Sequence, residues 1–506
     1  MSDRFAPDAV PRDNRRMPNP ERLSGLDTSF LHLENDGAHM HVAGVLVFEG
    51  EAPHYDDLAR MIESRLHLVP RYRQRLAFVP LGQGRPVWVD DPHFNIAYHL
   101  RHAALPSPGT DFELRALAGR LFAQELDRAK PLWELSLVEG LENDRFALIS
   151  KTHHALVDGV SGVDITSILF DTQPEPVPVA PPDRPWIPRP VPTSSQLLGD
   201  ALVERATVPG EVARGLRAVV RRPKKVLGAV SEGLAGVGAT LWAGLADTAP
   251  ASPFNVPIGP HRRYTWAEAS LDDIKITKNA LGGTVNDVVL AAVSLAIGRF
   301  LKGRGEDIAG KELRAMVPVS VRADVDQGAL GNRVAAIWAP LPVGVEDPVQ
   351  TLSIVSEAMG NLKESGQAVG AQVLTELTDF APPTIMSQAA RLSARQRFFN
   401  LVVTNVPGPQ IPLYLLGRKM LCFYPVVPIA RNQALGIAIM SYDGHLYFGM
   451  LSDYDALPDL EALRGDLEWA IAALRAAAGP KRPAKRNGRA PAAAAKAAHA
   501  AVTPAS

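Results

Sequence analysis

Cysteine is nearly absent: one residue, Cys422, occurs in 506. A single thiol excludes an intramolecular disulfide and any cysteine-rich zinc site, and it fits a reducing compartment. Cys422 sits in the apolar run Met420-Leu421-Cys422-Phe423-Tyr424 with no activating polar neighbour in sequence, which suits a small buried hydrophobe and not a nucleophile. Neither sign of charge is in excess, with 53 Lys plus Arg against 54 Asp plus Glu, so nothing global calls for a nucleic-acid partner. The stretch Met1 to Asn19 is polar, charged and proline-containing and lacks the apolar core of a secretory signal; a cytoplasmic chain is expected. Two motifs are missing as well, G-x-S-x-G for a nucleophilic serine and H-E-x-x-H for zinc.

What is present is a globular composition, 46% hydrophobic and 21% charged, on a chain longer than one core normally organises. After a flexible N-terminus (1–19), two mixed α/β domains are expected, 20–173 and 251–478. In the first, His41–Phe48 reads as a strand and Leu58–Leu66 as a helix. Nine prolines from Pro174 to Pro192 forbid continuous helix or central strand and place a linker at 174–250. In the second domain Val285–Leu301 reads as an apolar helix, and Arg314–Val319 and Leu446–Met450 as strands. From Gly479 to Ser506, six Lys or Arg and no acid predict a disordered basic tail.

Within the linker, Val203–Leu245 carries Arg214, Arg217, Arg221, Arg222, Lys224 and Lys225 and then a weakly apolar half. Its length admits a spanning helix, which Glu232 and five glycines between Gly228 and Gly244 weaken. An interfacial helix suited to anionic lipid and a plain solvated connector are both open.

The chemistry-bearing run is His153-His154-Ala155-Leu156-Val157-Asp158-Gly159. Arg145–Thr152 reads as a strand, so the histidine pair falls where the strand hands over to a loop. Neighbouring residues of an extended chain point to opposite sides, so one histidine should face a cleft and the other its supports. A neutral imidazole can take a proton from a hydroxyl and return it to a departing thiolate, which is the exchange an acyl transfer needs. Asp158 can hold an imidazole or pair with a basic residue and fix the loop, the second being favoured, and Gly159 permits a tight turn. A histidine pair alone is weak evidence; the spacing H-H-x-x-x-D-G arises by chance in roughly one chain per thousand of this composition. No metal-ligand spacing accompanies it.

With that motif, Leu26-Asp27, Pro131-Leu132-Trp133, Asn286-Asp287, Pro318-Val319-Ser320-Val321-Arg322, Gly331-Asn332-Arg333 and Asn405-Val406-Pro407-Gly408-Pro409 follow in order, and the chain resembles the bacterial wax ester synthase/acyl-CoA:diacylglycerol acyltransferase family. Val403-Thr404 stands where serine is commoner in that family. The resemblance implies an α/β fold of two chloramphenicol-acetyltransferase-like domains with the active site at their interface. It implies His154 as general base, supported by His153 and Asp158 with Gly159 in the same loop, and acyl-CoA as the co-substrate with no bound cofactor; since no nucleophile motif is present, direct transfer without a covalent acyl-enzyme is expected. Diacylglycerol or a long-chain alcohol is the implied acceptor, and a peripheral place on the inner membrane face or on lipid droplets follows from such substrates.

Thr284-Val285-Asn286-Asp287 also reads as a capping box that sets Asn286 in the first turn of the apolar helix, where amide donors and the helix's positive end converge. Asn286 is then either an oxyanion donor or part of a capped helix without catalytic duty, with Asp287 supporting it. Pro131, Leu132 and Trp133 either wall a substrate channel or pack. Asn405, Pro407 and Gly408 are expected to fix a loop beside the site, and Arg322 is a candidate for an ion pair or phosphate contact. Two other classes stay in view: a carrier-protein-dependent condensation-type acyltransferase, and a non-catalytic lipid-surface protein.

Overall fold

The computed structural model describes residues 21–34, 37–156, 168–203, 248–320, 334–364 and 397–479. The expected flexible N-terminus (1–19), nearly all of Val203–Leu245 and the basic tail beyond Gly479 lie outside them.

Two six-stranded sheets organise the chain. The first has the order β11-β12-β1-β6-β5-β4, formed by β1 (His41–Glu49), β4 (Leu100–Ala104), β5 (Trp133–Leu141), β6 (Arg145–His153), β11 (Tyr414–Leu415) and β12 (Arg418–Val426). Its central strands β1 and β6 are close to continuous apolar runs, buried on both faces and antiparallel, with Val45 opposite Ile149 and His41 opposite His153. The second sheet has the order β7-β14-β13-β10-β8-β9, from β7 (Arg262–Ser270), β8 (Leu313–Ser320), β9 (Val334–Leu341), β10 (Leu401–Pro407), β13 (Leu435–Tyr442) and β14 (His445–Asp453). A separate hairpin-like pair, β2 (Gln74–Ala77) and β3 (Val87–Asp90), sends Leu76 and Trp88 into the first core.

In the N-terminal half the helices are α1 (Gly25–Leu33), α2 (Tyr55–Arg65), α3 (Ile96–His99) and α4 (Asp111–Phe122); α5 (Leu271–Leu281), α6 (Val285–Gly303), α7 (Pro348–Glu364) and α8 (Leu460–Ala477) follow. The helix expected at Leu58–Leu66 begins earlier, at Tyr55, because Asp56 and Asp57 favour the positive first turn; its last residues tighten into a 3₁₀ turn at Leu66–Leu68. Every residue of α6 from Asp287 to Leu301 is buried except Arg299, as an all-round apolar helix requires. Among the described residues no single helix is long and apolar enough to cross a membrane; the pair α5 and α6, bent by 97°, has the composition but contributes its apolar residues to the second core.

Period-two alternation decides which core each side chain of the second sheet enters. On β14, Leu446, Phe448 and Met450 face the core that holds α6, while Tyr447 and Leu451 face the core of the first sheet. On β7, Ala267 and Ala269 take the α6 side, and Tyr264 and Trp266 the other. The second sheet is thus sandwiched between its own helices and the first half of the chain.

The two halves are not contiguous in sequence. β11 and β12, within the stretch read as the C-terminal domain (251–478), belong to the first sheet, where β12 pairs antiparallel with β1, Val45 opposite Tyr424 and Val47 opposite Cys422. The edge of β1 opposite β6 would otherwise expose unpaired backbone groups of an apolar strand. β12 lies close against the second sheet as well: Tyr264 Oη donates to the carbonyls of Tyr424 (3.0 Å) and Pro425 (3.2 Å), and Tyr447 Oη to that of Leu421 (3.0 Å). A Cβ on Gly449 would stand 1.8 Å from the Pro425 oxygen. α4 adds a second seam, with Phe122 edge-on to Tyr264 at 5.2 Å and Arg115 paired to Glu461 at 3.1 Å.

Gly449→Ala drives a methyl into backbone that cannot swing aside, so it should destabilise the folded protein by about 2–4 kcal/mol, read as a lower midpoint in urea unfolding. A midpoint equal to the parent's would show that β12 and β14 do not approach this closely.

Candidate active site

β6 ends at His153, and the chain turns at once. The His153 N–H donates to the Leu132 carbonyl (2.9 Å), the Leu156 N–H returns to the His153 carbonyl (2.9 Å), and the His154 N–H donates to the Met40 carbonyl (2.8 Å). The two rings part as the extended geometry demands. His153 is fully buried, while His154 is half-buried with its ring stacked on Phe30 of α1, centroids 4.0 Å apart.

Burial pushes the His154 pKa down to about 4; a hydrogen bond from the ring to its own backbone works against that, and the nearby His153 adds to it. That bond occupies one ring nitrogen and leaves the other for an incoming group. The ring is therefore a neutral acceptor at ordinary pH.

Beneath this turn lies Glu34, the residue that ends α1. Its side chain is 4% exposed, and its carboxylate is surrounded by donors. Oε1 accepts the Met40 N–H at 2.9 Å and stands 3.3 Å from His153 Nε2 and 3.7 Å from His41 Nε2; Oε2 takes Arg128 Nη2 at 2.5 Å and Nε at 3.2 Å. Burial alone would raise the Glu34 pKa, but the His153 and Arg128 contacts outweigh it and hold the group at about 2. His153 Nδ1 accepts the Ala155 N–H at 3.0 Å, so the ring proton belongs on Nε2, facing Glu34. His41 is held neutral by burial and by the charge of the buried Lys151, whose ammonium bonds Glu134 (3.2 Å) and the carbonyls of Leu121 and Gln124.

On the second sheet the capping box read from sequence is present. Thr284 Oγ1 accepts the Asp287 N–H (3.2 Å), and Asp287 Oδ2 accepts the Thr284 N–H (2.8 Å) and the Ser356 hydroxyl (3.3 Å). Asn286 is thereby fixed in the first turn of α6. Asn405 Nδ2 donates to Asn286 Oδ1 at 3.4 Å, bringing together two motifs 119 residues apart. That bond occupies Asn286 Oδ1 as acceptor and leaves the amide nitrogen as a donor in the first turn of the helix. Just after β10, the Gly408 N–H donates to Ser441 Oγ (3.2 Å); a Cβ there would meet the Ser441 backbone carbonyl oxygen at 2.3 Å, so this position requires glycine. Pro407 closes the strand and is exposed.

Of the remaining expectations, Asp158 and Gly159 lie outside the described residues, as do Arg322 and Gly331-Asn332-Arg333. Trp133 is wholly buried, stacked on His99 (4.6 Å) and edge-on to Tyr72 (5.6 Å), with Nε1 donating to the Tyr72 carbonyl (2.9 Å). Pro131 and Leu132 are buried beside it, so of the two options for this motif the observed one is packing, with the Leu132 carbonyl steadying His153. Cys422 is buried and its thiol is pushed up to about 12, first by burial. Among the described residues, no hydrogen bond or ring contact joins the His154 turn to Asn286; each is set by its own sheet. Glu34, Arg128, His41 and Phe30 were not anticipated. They contact the motif across sequence gaps that no local pattern marks, such as the 94 residues between Glu34 and Arg128.

Two packed α/β sheets with a histidine pair ending a central strand define the class of chloramphenicol-acetyltransferase-like proteins. The fold matches the first condensation domain of the calcium-dependent antibiotic synthetase (TM-score 0.55, 18% identity, 92% of this chain and 97% of that one), a likeness of fold alone. The wax ester synthase/diacylglycerol acyltransferase of Marinobacter aquaeolei VT8 superposes with a TM-score of 0.64 at 28% identity, over 91% of this chain and all of that one. The model of the wax ester synthase/diacylglycerol acyltransferase catalytic domain matches residues 23–289, and that of the corresponding C-terminal domain residues 330–475. A probable diacylglycerol O-acyltransferase of Mycobacterium tuberculosis, tgs1, is 33% identical over 475 residues, 92% of this chain and 98% of its own. The chain belongs to the wax ester synthase/diacylglycerol acyltransferase family.

Thr284→Ala removes the acceptor that seals the first turn of α6 and should cost about 1 kcal/mol of stability in urea unfolding. An unchanged midpoint would mean that the capping box does not hold Asn286.

Proposed function

We propose that this protein transfers a long-chain acyl group from acyl-CoA to the hydroxyl of diacylglycerol, giving triacylglycerol, or of a long-chain alcohol, giving a wax ester. Family membership supports the reaction class, and the carrying observation is His154: a neutral, half-buried imidazole on a turn locked by backbone bonds on both sides. The acceptor hydroxyl gives its proton to His154 as its oxygen bonds the thioester carbon. Asn286 Nδ2 donates to the oxyanion, the C–S bond breaks, and the proton passes from His154 to the leaving thiolate. Atoms balance as ester plus CoA thiol, with no covalent acyl-protein.

A base held near 4 has a small thermodynamic pull on an alcohol proton, so transfer must accompany bond formation and not precede it. Asp287 keeps its place in the cap and acts through the position of Asn286. Both acceptors are water-insoluble, so the protein docks peripherally, on the inner membrane face or on lipid droplets, with basic residues of the 203–245 stretch or the tail meeting anionic lipid.

Purified protein given palmitoyl-CoA with diacylglycerol and hexadecanol in competition should release CoA and form neutral lipid; His154→Ala should lower turnover by roughly 10²–10⁴-fold with the circular dichroism spectrum unchanged. Retained turnover removes His154 as the base, and an acyl-protein trapped by rapid quench removes direct transfer. With the pKa lowered from 6.5 to about 4, His154 stays unprotonated until the pH falls through that value. The profile of kcat/KM should therefore stay level from neutrality down to about pH 5 and fall below it. An inflection near 6.5 would place an ordinary histidine in that role. Sedimentation with anionic liposomes should weaken as salt rises from 0.05 to about 0.5 M, since the Debye length shortens severalfold; salt-independent binding would assign attachment to apolar contact alone.

A further inference from the structure

We propose that Glu34, clamped by Arg128, is the positioning residue for His154; this rests on the reading of His154 as the base. Three contacts define where His154 sits, and each runs back to Glu34, the first two to its carboxylate and the third to the helix it ends. The first is the backbone. Glu34 Oε1 accepts the Met40 N–H (2.9 Å), and the Met40 carbonyl accepts the His154 N–H (2.8 Å), so a single residue links the two.

The second is the flanking turn. The Ala155 N–H donates to His153 Nδ1 (3.0 Å), which puts the ring proton on Nε2, and the Glu34 carboxylate 3.3 Å from that nitrogen favours this arrangement by its charge, steadying the chain on both sides of His154. The third is the ring face. Phe30, stacked on His154 at 4.0 Å, lies on the helix that Glu34 terminates, and the Glu34 N–H donates to the Phe30 carbonyl (3.3 Å). Arg128 keeps the carboxylate from turning: it grips Oε2 with two nitrogens while Nη2 also bonds the Leu31 carbonyl of the same helix (3.1 Å).

The charge and the two oxygens both matter. A glutamine offers one acceptor oxygen, so either Met40 and His153 or Arg128 must face an amide donor instead. An aspartate keeps the charge one methylene short of its partners. This scaffold reaches His154 through its backbone and through Phe30, so loosening it should disturb the geometry of proton transfer and leave substrate binding intact; misplacement on the scale of an ångström costs roughly 10²-fold in rate.

The test is a double-mutant cycle in the full-length protein with palmitoyl-CoA and diacylglycerol or hexadecanol, whichever is turned over. Glu34→Gln should lower kcat by about 10–100-fold with KM for palmitoyl-CoA within about twofold, and should cause no further loss when added to His154→Ala. Glu34→Asp should recover part of the lost kcat, and Arg128→Met should give the same pattern with a smaller loss, about 3–10-fold. Should Glu34→Gln fail to fold, the Arg128→Met cycle decides by the same criterion. A parental kcat in Glu34→Gln, a loss confined to KM, or a loss repeated in full on the His154→Ala background overturns the proposal while leaving His154 as base. Parental turnover in His154→Ala instead overturns the reading on which it rests.

Discussion

A carboxylate removed from water must be surrounded by donors or give up its charge, and the site around His154 is arranged to meet that demand. Glu34 remains ionised well below the ordinary carboxylate range because Arg128, Met40 and His153 converge on it from three segments of the chain. A buried charge with directional partners has few alternative arrangements. That rigidity passes to the turn at His153–Leu156 through the Met40 backbone and the Ala155 N–H.

The second sheet supplies the complementary constraint. Because its strands alternate between two cores, it cannot slide against the first half without moving aromatic side chains on one face and the α6 packing on the other. Asn286 inherits its position from that sheet through the cap at Thr284 and the bond from Asn405. His154 and Asn286 are thus placed by two separately packed bodies of structure, which the shared strand β12 ties together.

Much of this was legible in the residues. Strands at His41–Phe48 and Arg145–Thr152 and the long helix from Val285 announce themselves by apolar run and period, and the T-x-x-D box fixed the start of that helix to the residue. The separation of the two histidines followed from strand geometry. What stayed hidden is whatever depends on long-range pairing. Glu34 looks like an ordinary polar residue after a helix, and only the fold brings Arg128 and His153 to it. Trp133 could be assigned to packing only once His99 and Tyr72 were seen against it. The strand at Arg418–Val426 reads as part of the second half because no local signal records which sheet a strand will join.

That strand imposes an order on how the molecule can be made. β1 and β6 emerge from the ribosome as a ready pair, yet the other edge of β1 has no partner until residues 418–426 are synthesised, some 370 residues later. For most of translation the nascent chain carries an open, apolar strand edge beside the strand that ends in the histidine pair, the kind of surface that recruits stray strands or chaperones. The first sheet is therefore a structure that the N-terminal half begins and the C-terminal half completes, with the edge of β1 closed only once residues 418–426 have been made.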